Sequence, residues 1–406
     1  MKVLQISECF PTKYKPQTGE FILKHVSALS KLCEVKLIAP LRFIPPREAL
    51  LAGYSGVRKW LSQINETEGM SDGQLSVEYM NYISLPRPIF EAIDEKLINT
   101  LFRKKLFDLI KAFSPDILYC HWLRPWAGIA ASISKELTIP FVIDHHEDLP
   151  TMKILFPNDY SNFLNTFLLA DMIILHSNEN RTDLQNEIAS LNNIELIYLG
   201  QSFEILEKDK AFSNETIRLI CVSHLHEPRK NIDVLLKALA LLSDKLKFSM
   251  RIIGDGPLKS DYEKLCLTLN LSGVVTFEGS LPQDEIKQLL DDSDMFILPS
   301  FPEAFGIVFA EALARGVPVV TCKGNGGGEE LRLLGYPSVL AEPLSADDLS
   351  KKILALANNI EAKNEMSYKG RKIARENFTW ERNALQTFDM MTELLNQFHN
   401  RGNVRN

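Results

Sequence analysis

No stretch of about 18 uncharged apolar residues occurs anywhere in the 406-residue chain, which predicts that it has no membrane-spanning helix. Any membrane contact is then expected to be peripheral. The opening MKVLQISECF is too short in its apolar run for a secretory leader, and Val3–Ile6 reads instead as a first strand. Cysteine is scarce. Cys9, Cys33, Cys120, Cys221, Cys266 and Cys322 form no C-x-x-C pair, and no histidines stand at zinc-finger spacing, so a reducing, cytoplasmic compartment is expected. Basic charge is also short: 45 Lys and Arg against 52 Asp and Glu give a net charge of −7, which excludes a general nucleic-acid binder. With 20 Gly and 20 Pro the chain is neither fibrous nor of low complexity.

What is present is the balance of a globular protein, 45% apolar and 24% charged. The length exceeds one ordinary core and predicts two domains of roughly 200 residues. Short apolar runs alternate with longer amphipathic ones. In the first half, strands are expected at 3–6, 34–39, 117–120, 141–144, 172–175 and 195–199, with helices at 20–32, 97–112 and 179–190. Residues 43–90 break the rhythm and read as a variable insertion or long loops. The polar run 207–216 reads as a linker, after which strands are expected at 217–223, 247–254, 274–279, 295–300 and 317–322. The pattern is that of an α/β protein with two doubly wound, Rossmann-like domains facing across a cleft. The expected boundaries are 1–206, 207–378 and a terminal helix at 379–406 that returns to the first domain.

The strongest chemical signal is SFPEAFGIVFAEALARGVPVV at 300–320. Glu303 precedes a helix opened by Gly306, and Glu311 lies eight residues on, about 80° beyond two full turns, so both carboxylates can face one site. The helix mouth offers free N–H groups to a phosphate, and Gly306 permits close approach of a ligand. Glu311 sits in the apolar run IVFAEALA, where an unpaired charge is costly, which favours a functional role. A second signal is CVSHLHEPRKNIDVLLKAL at 221–239, where Arg229 and Lys230 stand at a helix N-terminus, a place that disfavours cations unless an anion is bound. A third is the turn Gly254-Asp255-Gly256-Pro257 after a strand. In the first half, PFVIDHHEDLP ends a strand in His145, His146, Glu147 and Asp148; two adjacent rings reach one ion poorly, so no metal is expected there. HWLRPWAGIA, from His121, is a polar and aromatic turn suited to an acceptor.

The 300–320 segment resembles the E-x7-E signature of the retaining GT-B glycosyltransferases of family four, and the resemblance spans nearly the whole chain. It implies that Glu303 approaches the donor sugar and Glu311 binds the ribose of a sugar nucleotide. The backbone of Ala304, Phe305, Gly306 and Ile307 would then lie against sugar and diphosphate. Lys230 matches the family's diphosphate lysine, while His224 occupies its arginine position and Ser223 its glycine. Arg229 stands ready to supply the missing charge. The resemblance places Gly254 beside the nucleotide, Leu281 near the base, and His145 and Asp148 in an H-G-x-D-like pattern, His145 touching the donor sugar. Gly19 matches the loop that meets diphosphate and acceptor, with Lys13 and Lys15 near an acceptor phosphate, and GNGGGEEL, a Gly-rich turn, resembles the family's G-G-x-x-E loop with Glu330 at the Glu position. The implied activity is transfer of a hexose-type sugar from a UDP- or GDP-type donor to a glycan or lipid-linked acceptor, without metal or other cofactor. An epimerase or a non-catalytic binder of the same sugar nucleotides is the alternative. Residues 1–47 carry eight basic and three acidic residues, a face that suits an anionic membrane surface.

Overall fold

A computed structural model describes residues 1–13, 18–61, 75–84, 91–212 and 215–403. The chain divides into two compact units. The first holds residues 1–176, 183–197 and 380–406; the second holds 177–182 and 198–379. The run 207–216, which reads as a linker, falls within the second unit. There Arg371 donates to the carbonyls of Leu206 and Lys208 and to Asp209.

The first unit is built on a seven-stranded parallel sheet. Its strands are β1 (Lys2–Ile6), β2 (Glu34–Phe43), β3 (Ser76–Ile83), β4 (Ile117–His121), β5 (Phe141–Asp144), β6 (Met172–Leu175) and β7 (Ile194–Leu196), in the order 3-2-1-4-5-6-7. Leu4, Ile6, Leu118, Phe141, Ile143 and Ile173 are fully or almost fully buried, as strands covered on both faces must be. One side of the core is closed by the helix Glu91–Phe113, whose Ile98, Leu106 and Ile110 are sealed while Leu101 remains 55% exposed. The second unit has six parallel strands: β8 (Ile217–Val222), β9 (Phe248–Ile253), β10 (Val275–Gly279), β11 (Met295–Ile297), β12 (Val319–Cys322) and β13 (Val339–Ala341). Their order is 10-9-8-11-12-13. This is an α/β chain with two doubly wound units.

Two strands escape the apolar-run criterion. β3 lies inside 43–90 and has only β2 for a neighbour, so its polar residues alternate with the buried Met80 and Tyr82. The segment 43–90 also holds helices at Arg47–Leu51 and Gly53–Leu61, in place of loops throughout. The strand β13 has three residues at the opposite kind of edge, beside β12. Both sheets reverse their winding once, between β1 and β4 and between β8 and β11. Such reversals open a crevice at the carboxyl ends of the strands, where ligands of this fold class bind.

Candidate active site

In the second unit the reversal point is flanked by the loops after β8 and β11, which carry the two segments singled out in the sequence. Lys230 ends a short 3-10 turn, Pro228–Lys230, and its Nζ meets Glu303 Oε2 at 2.6 Å with both side chains buried. Arg229 Nη1 lies 3.7 Å from Glu303 Oε1 and donates to the Pro302 carbonyl. The two loops are strapped by backbone as well: Phe301 N donates to Arg229 O, and Asn231 Nδ2 to Pro299 O. Burial pushes the Glu303 carboxyl up, but Lys230 and Arg229, with hydrogen bonds from Lys230 and Ser300, outweigh it and hold the carboxyl below its ordinary range. Glu303 is thus an anion locked between two cations.

His224 follows β8. Burial, reinforced by the charges of Lys230 and Arg229, lowers its pKa, so near neutral pH it is an uncharged imidazole. Gly254 stands opposite, at φ +132°, and a Cβ there would fall 1.8 Å from the Ser223 carbonyl oxygen. This glycine is required by the close approach of the β8 and β9 loops. Gly254 N also donates to Gly279 O, which brings in the loop after β10 with half-buried Leu281.

Gly306 caps the helix Ile307–Ala314 in a left-handed conformation, φ +74°, and a side chain there would collide with the Phe309 ring. Its necessity is therefore conformational before it concerns any ligand. Glu311 lies in the second turn of that helix and is buried. Ala304 and Phe305 are buried too, and the Phe305 ring clusters with those of Tyr198 and Phe378. The glycines of GNGGGEEL begin a helix, Gly326–Leu333, rather than an open turn. Gly326 N donates to Glu303 O, and Asn325 caps the helix while its Nδ2 holds the Ser300 carbonyl. Glu330 is consumed structurally, accepting from Asn178 N, Asn178 Nδ2 and the Tyr198 hydroxyl.

The first unit gathers a different group. His121 ends β4, and Asp144 and His146 end β5 and begin its loop; the three side chains converge. His145 turns the other way, into the core against Phe163 and Phe167, where burial takes its pKa down to about 3. Among the described residues neither of its ring nitrogens has a partner. Asp148 caps the helix Leu149–Leu155 through Thr151 N. Gly19, at φ +69°, precedes the helix Glu20–Leu29 and packs on the Cys9 carbonyl. Lys13 is exposed, and Lys15 lies outside the described residues.

Residues 203–373 match the family model described as glycosyl transferases group 1. Over that segment, less than half of its length, the chain is similar to the group 1 glycosyltransferases. It is similar to the putative teichuronic acid biosynthesis glycosyltransferase TuaC of Bacillus subtilis, with 26% identity covering 87% of this chain and 88% of that one. It is also similar to the uncharacterized glycosyltransferase MJ1178 of Methanocaldococcus jannaschii, at 27% identity over 71% and 78% of the two chains. Among solved structures, Anabaena HepE in complex with UDP-glucose superposes with a TM-score of 0.68 at 20% identity, over 97% of this chain and all of that one. The matched segment lies within the second unit, which carries Lys230, Glu303 and Glu311.

Several residues at this sheet edge gave no sequence signal of their own. Asn231, Ser300 and Asn325 look like ordinary turn residues until the loops they tie together are seen. The histidine group was legible in principle, because ILYCH, FVIDHH and MIILH all end an apolar run in histidine, and β4, β5 and β6 are neighbours.

Proposed function

We propose that this chain is a retaining glycosyltransferase that moves a hexose-type sugar from a nucleoside-diphosphate donor to a glycan or lipid-linked acceptor in bacterial cell-surface polysaccharide synthesis. The buried Lys230–Glu303 pair at the reversal point carries this reading. A buried ion pair is weak evidence for stability, because desolvation cancels much of its attraction. It is better explained as a cation held ready for an anionic ligand.

In this reading the donor diphosphate enters at the mouth of the helix behind Gly306, where the Ile307 end presents free N–H groups. Lys230 and Arg229 take up the charge that grows on the departing diphosphate, the kind of stabilisation worth the most in a desolvated site. Neutral His224 donates one hydrogen bond to it. Glu303, released from part of its ion pairing, faces the donor sugar, and Glu311 accepts from the ribose hydroxyls. The bond between the anomeric carbon and the diphosphate oxygen breaks, and the acceptor oxygen bonds on the same face. Its proton passes to the leaving phosphate, so no protein nucleophile and no cofactor take part. His145 and Asp148 act by positioning, since one is in the core and the other caps a helix. The acceptor is assigned to the first unit with Gly19 and His121. The name of TuaC and the UDP-glucose bound to HepE support the substrate classes.

The test is a calorimetric and thermal-shift screen with UDP- and GDP-sugars, followed by NMR of the anomeric proton in the product. Retained configuration supports the reading, while inversion, or an epimerised sugar nucleotide released without acceptor, overturns it. No helix among the described residues is long and apolar enough to cross a membrane. The proposed site of action is the cytoplasmic membrane face, through the basic N-terminal stretch. Sedimentation with anionic liposomes, abolished in high salt, is the expected result.

A further inference from the structure

A hydrogen-bonded chain of side chains runs through the first unit. At one end His25 Nδ1 meets Asn383 Oδ1 at 2.7 Å, and His25 Nε2 meets Gln5 Nε2 at 3.1 Å. Gln5 Oε1 then meets His121 Nε2 at 2.9 Å. At the other end His176 Nδ1 meets the Ile197 carbonyl at 2.7 Å, and His176 Nε2 meets His146 Nδ1 at 2.9 Å. Both termini are oxygen acceptors, so the protons are assigned inward from them. His25 carries its hydrogen on Nδ1, Gln5 donates to His25 Nε2, and His121 donates from Nε2. From the other side His176 donates from Nδ1 and His146 from Nδ1. The two chains therefore bring two bare lone pairs, His121 Nδ1 and His146 Nε2, face to face at 3.1 Å.

A third acceptor points at the same place. Asp144 Oδ2 lies 3.5 Å from His121 Nδ1 and 3.7 Å from His146 Nε2. Asp144 is buried, and among the described residues no lysine or arginine pairs with it. Three atoms at separations of 3.1, 3.5 and 3.7 Å lie on a circle of radius about 2.0 Å, so a cation with bonds of about 2.1 Å, within the zinc–nitrogen and zinc–carboxylate range, sits just above their plane as a tetrahedral site requires. The remaining atoms match an outer shell. Gln5 and His176 fix the tautomers of the two imidazoles, and the Tyr119 hydroxyl donates to Asp144 Oδ2 at 2.5 Å.

We propose that His121 Nδ1, Asp144 Oδ2 and His146 Nε2 bind one first-row divalent cation of the zinc type at the carboxyl end of β4 and β5. Three protein ligands leave the fourth tetrahedral position to water or to an oxygen of a bound ligand. The cation neutralises Asp144 and ties the ends of two adjacent strands. The competing arrangement puts a proton there instead. Asp144 Oδ1 is 3.0 Å from His176 Nε2, and a hydrogen shared between those atoms makes His176 an imidazolium and gives His146 Nε2 an N–H that points at His121.

The experiment uses the full chain, stripped by chelator and titrated with Co²⁺. One Co²⁺ per chain is expected, with the visible absorption of a tetrahedral site, and Zn²⁺ should displace it. His146→Gln and Asp144→Asn should each weaken binding at least tenfold. Binding equal to that of the variants, or no saturable absorption, overturns the proposal. In case either variant misfolds, ¹⁵N imidazole NMR of the wild-type chain decides. Stripped protein should show unprotonated His121 Nδ1 and His146 Nε2 whose signals move when Zn²⁺ is added. A protonated His146 Nε2 that Zn²⁺ leaves unchanged establishes the proton arrangement and overturns the metal site.

Discussion

Lys230 and Glu303 stand 73 residues apart and touch at 2.6 Å, with Arg229 as a second cation 3.7 Å from the carboxylate. Lys230→Ala should lower turnover roughly 10²–10³-fold, the range seen when one preorganised donor is lost from a charge-stabilising site. The same change leaves Glu303 buried without its main partner, at a cost of about 3 kcal/mol. Denaturant melts and single-turnover assays on the same sample separate the two effects. Glu330 makes the opposite case. Its carboxylate is used by Asn178 and Tyr198, so Glu330→Ala should destabilise the fold by about 2–3 kcal/mol through orphaned donors. In a variant that still folds, donor affinity should change little, and a large loss of affinity at full stability would return Glu330 to the binding site.

At the scale of elements, the site is a set of loops held by glycines and short polar side chains. Gly254→Ala puts a Cβ against the Ser223 carbonyl in a backbone conformation that L residues avoid, and should cost about 3 kcal/mol or prevent folding. Gly273→Ala, with nothing within 4 Å of the new Cβ, should lie within about 0.5 kcal/mol of wild type. Thermal melts of the pair measure how tightly the β8 and β9 loops are locked. Most strands were legible because buried parallel strands must be continuous apolar runs. β3 was not, because an edge strand with one neighbour keeps polar residues. The helix at Gly326 was not, because three glycines are poor helix formers; a glycine is needed at 327 because a Cβ there would come within 1.8 Å of the Phe305 carbonyl.

For the molecule as a whole, buried ionisable groups set the acid stability. Lowered carboxyl pKa values, as at Glu303, add stability that is present above the unfolded value near pH ~4.3 and is lost as pH falls through the folded value. A histidine kept neutral by burial has the same sign in another window. His25, lowered to about 4, contributes above pH ~6.5 and loses that contribution as pH falls toward 4. The melting temperature should therefore decline in two stages on acidification, first between about pH 6.5 and 4 and again below it. Lys230→Met should raise the pH at which the second stage begins, because its Glu303 protonates more easily; an unchanged onset would mean that Glu303 is not the group titrating. The basic opening stretch is partly balanced in the fold, since Lys2, Lys24 and Lys36 pair with Glu34, Glu20 and Glu78.

By itself the sequence determined the α/β alternation, the doubly wound character of both halves and the pair of segments around Lys230 and Glu303, because apolar periodicity and helix-mouth chemistry are local. Only the tertiary structure decided which neighbours these residues have. It set Lys230 on Glu303, turned His145 into the core, spent Asp148 and Glu330 on hydrogen bonds, and joined His146 to His121 across adjacent strands. His145 packs against Phe163 and Phe167, away from the group that His146 joins. The partner of His146 comes instead from a strand that the chain reaches 25 residues earlier, and parallel pairing between β4 and β5 is what places it within reach.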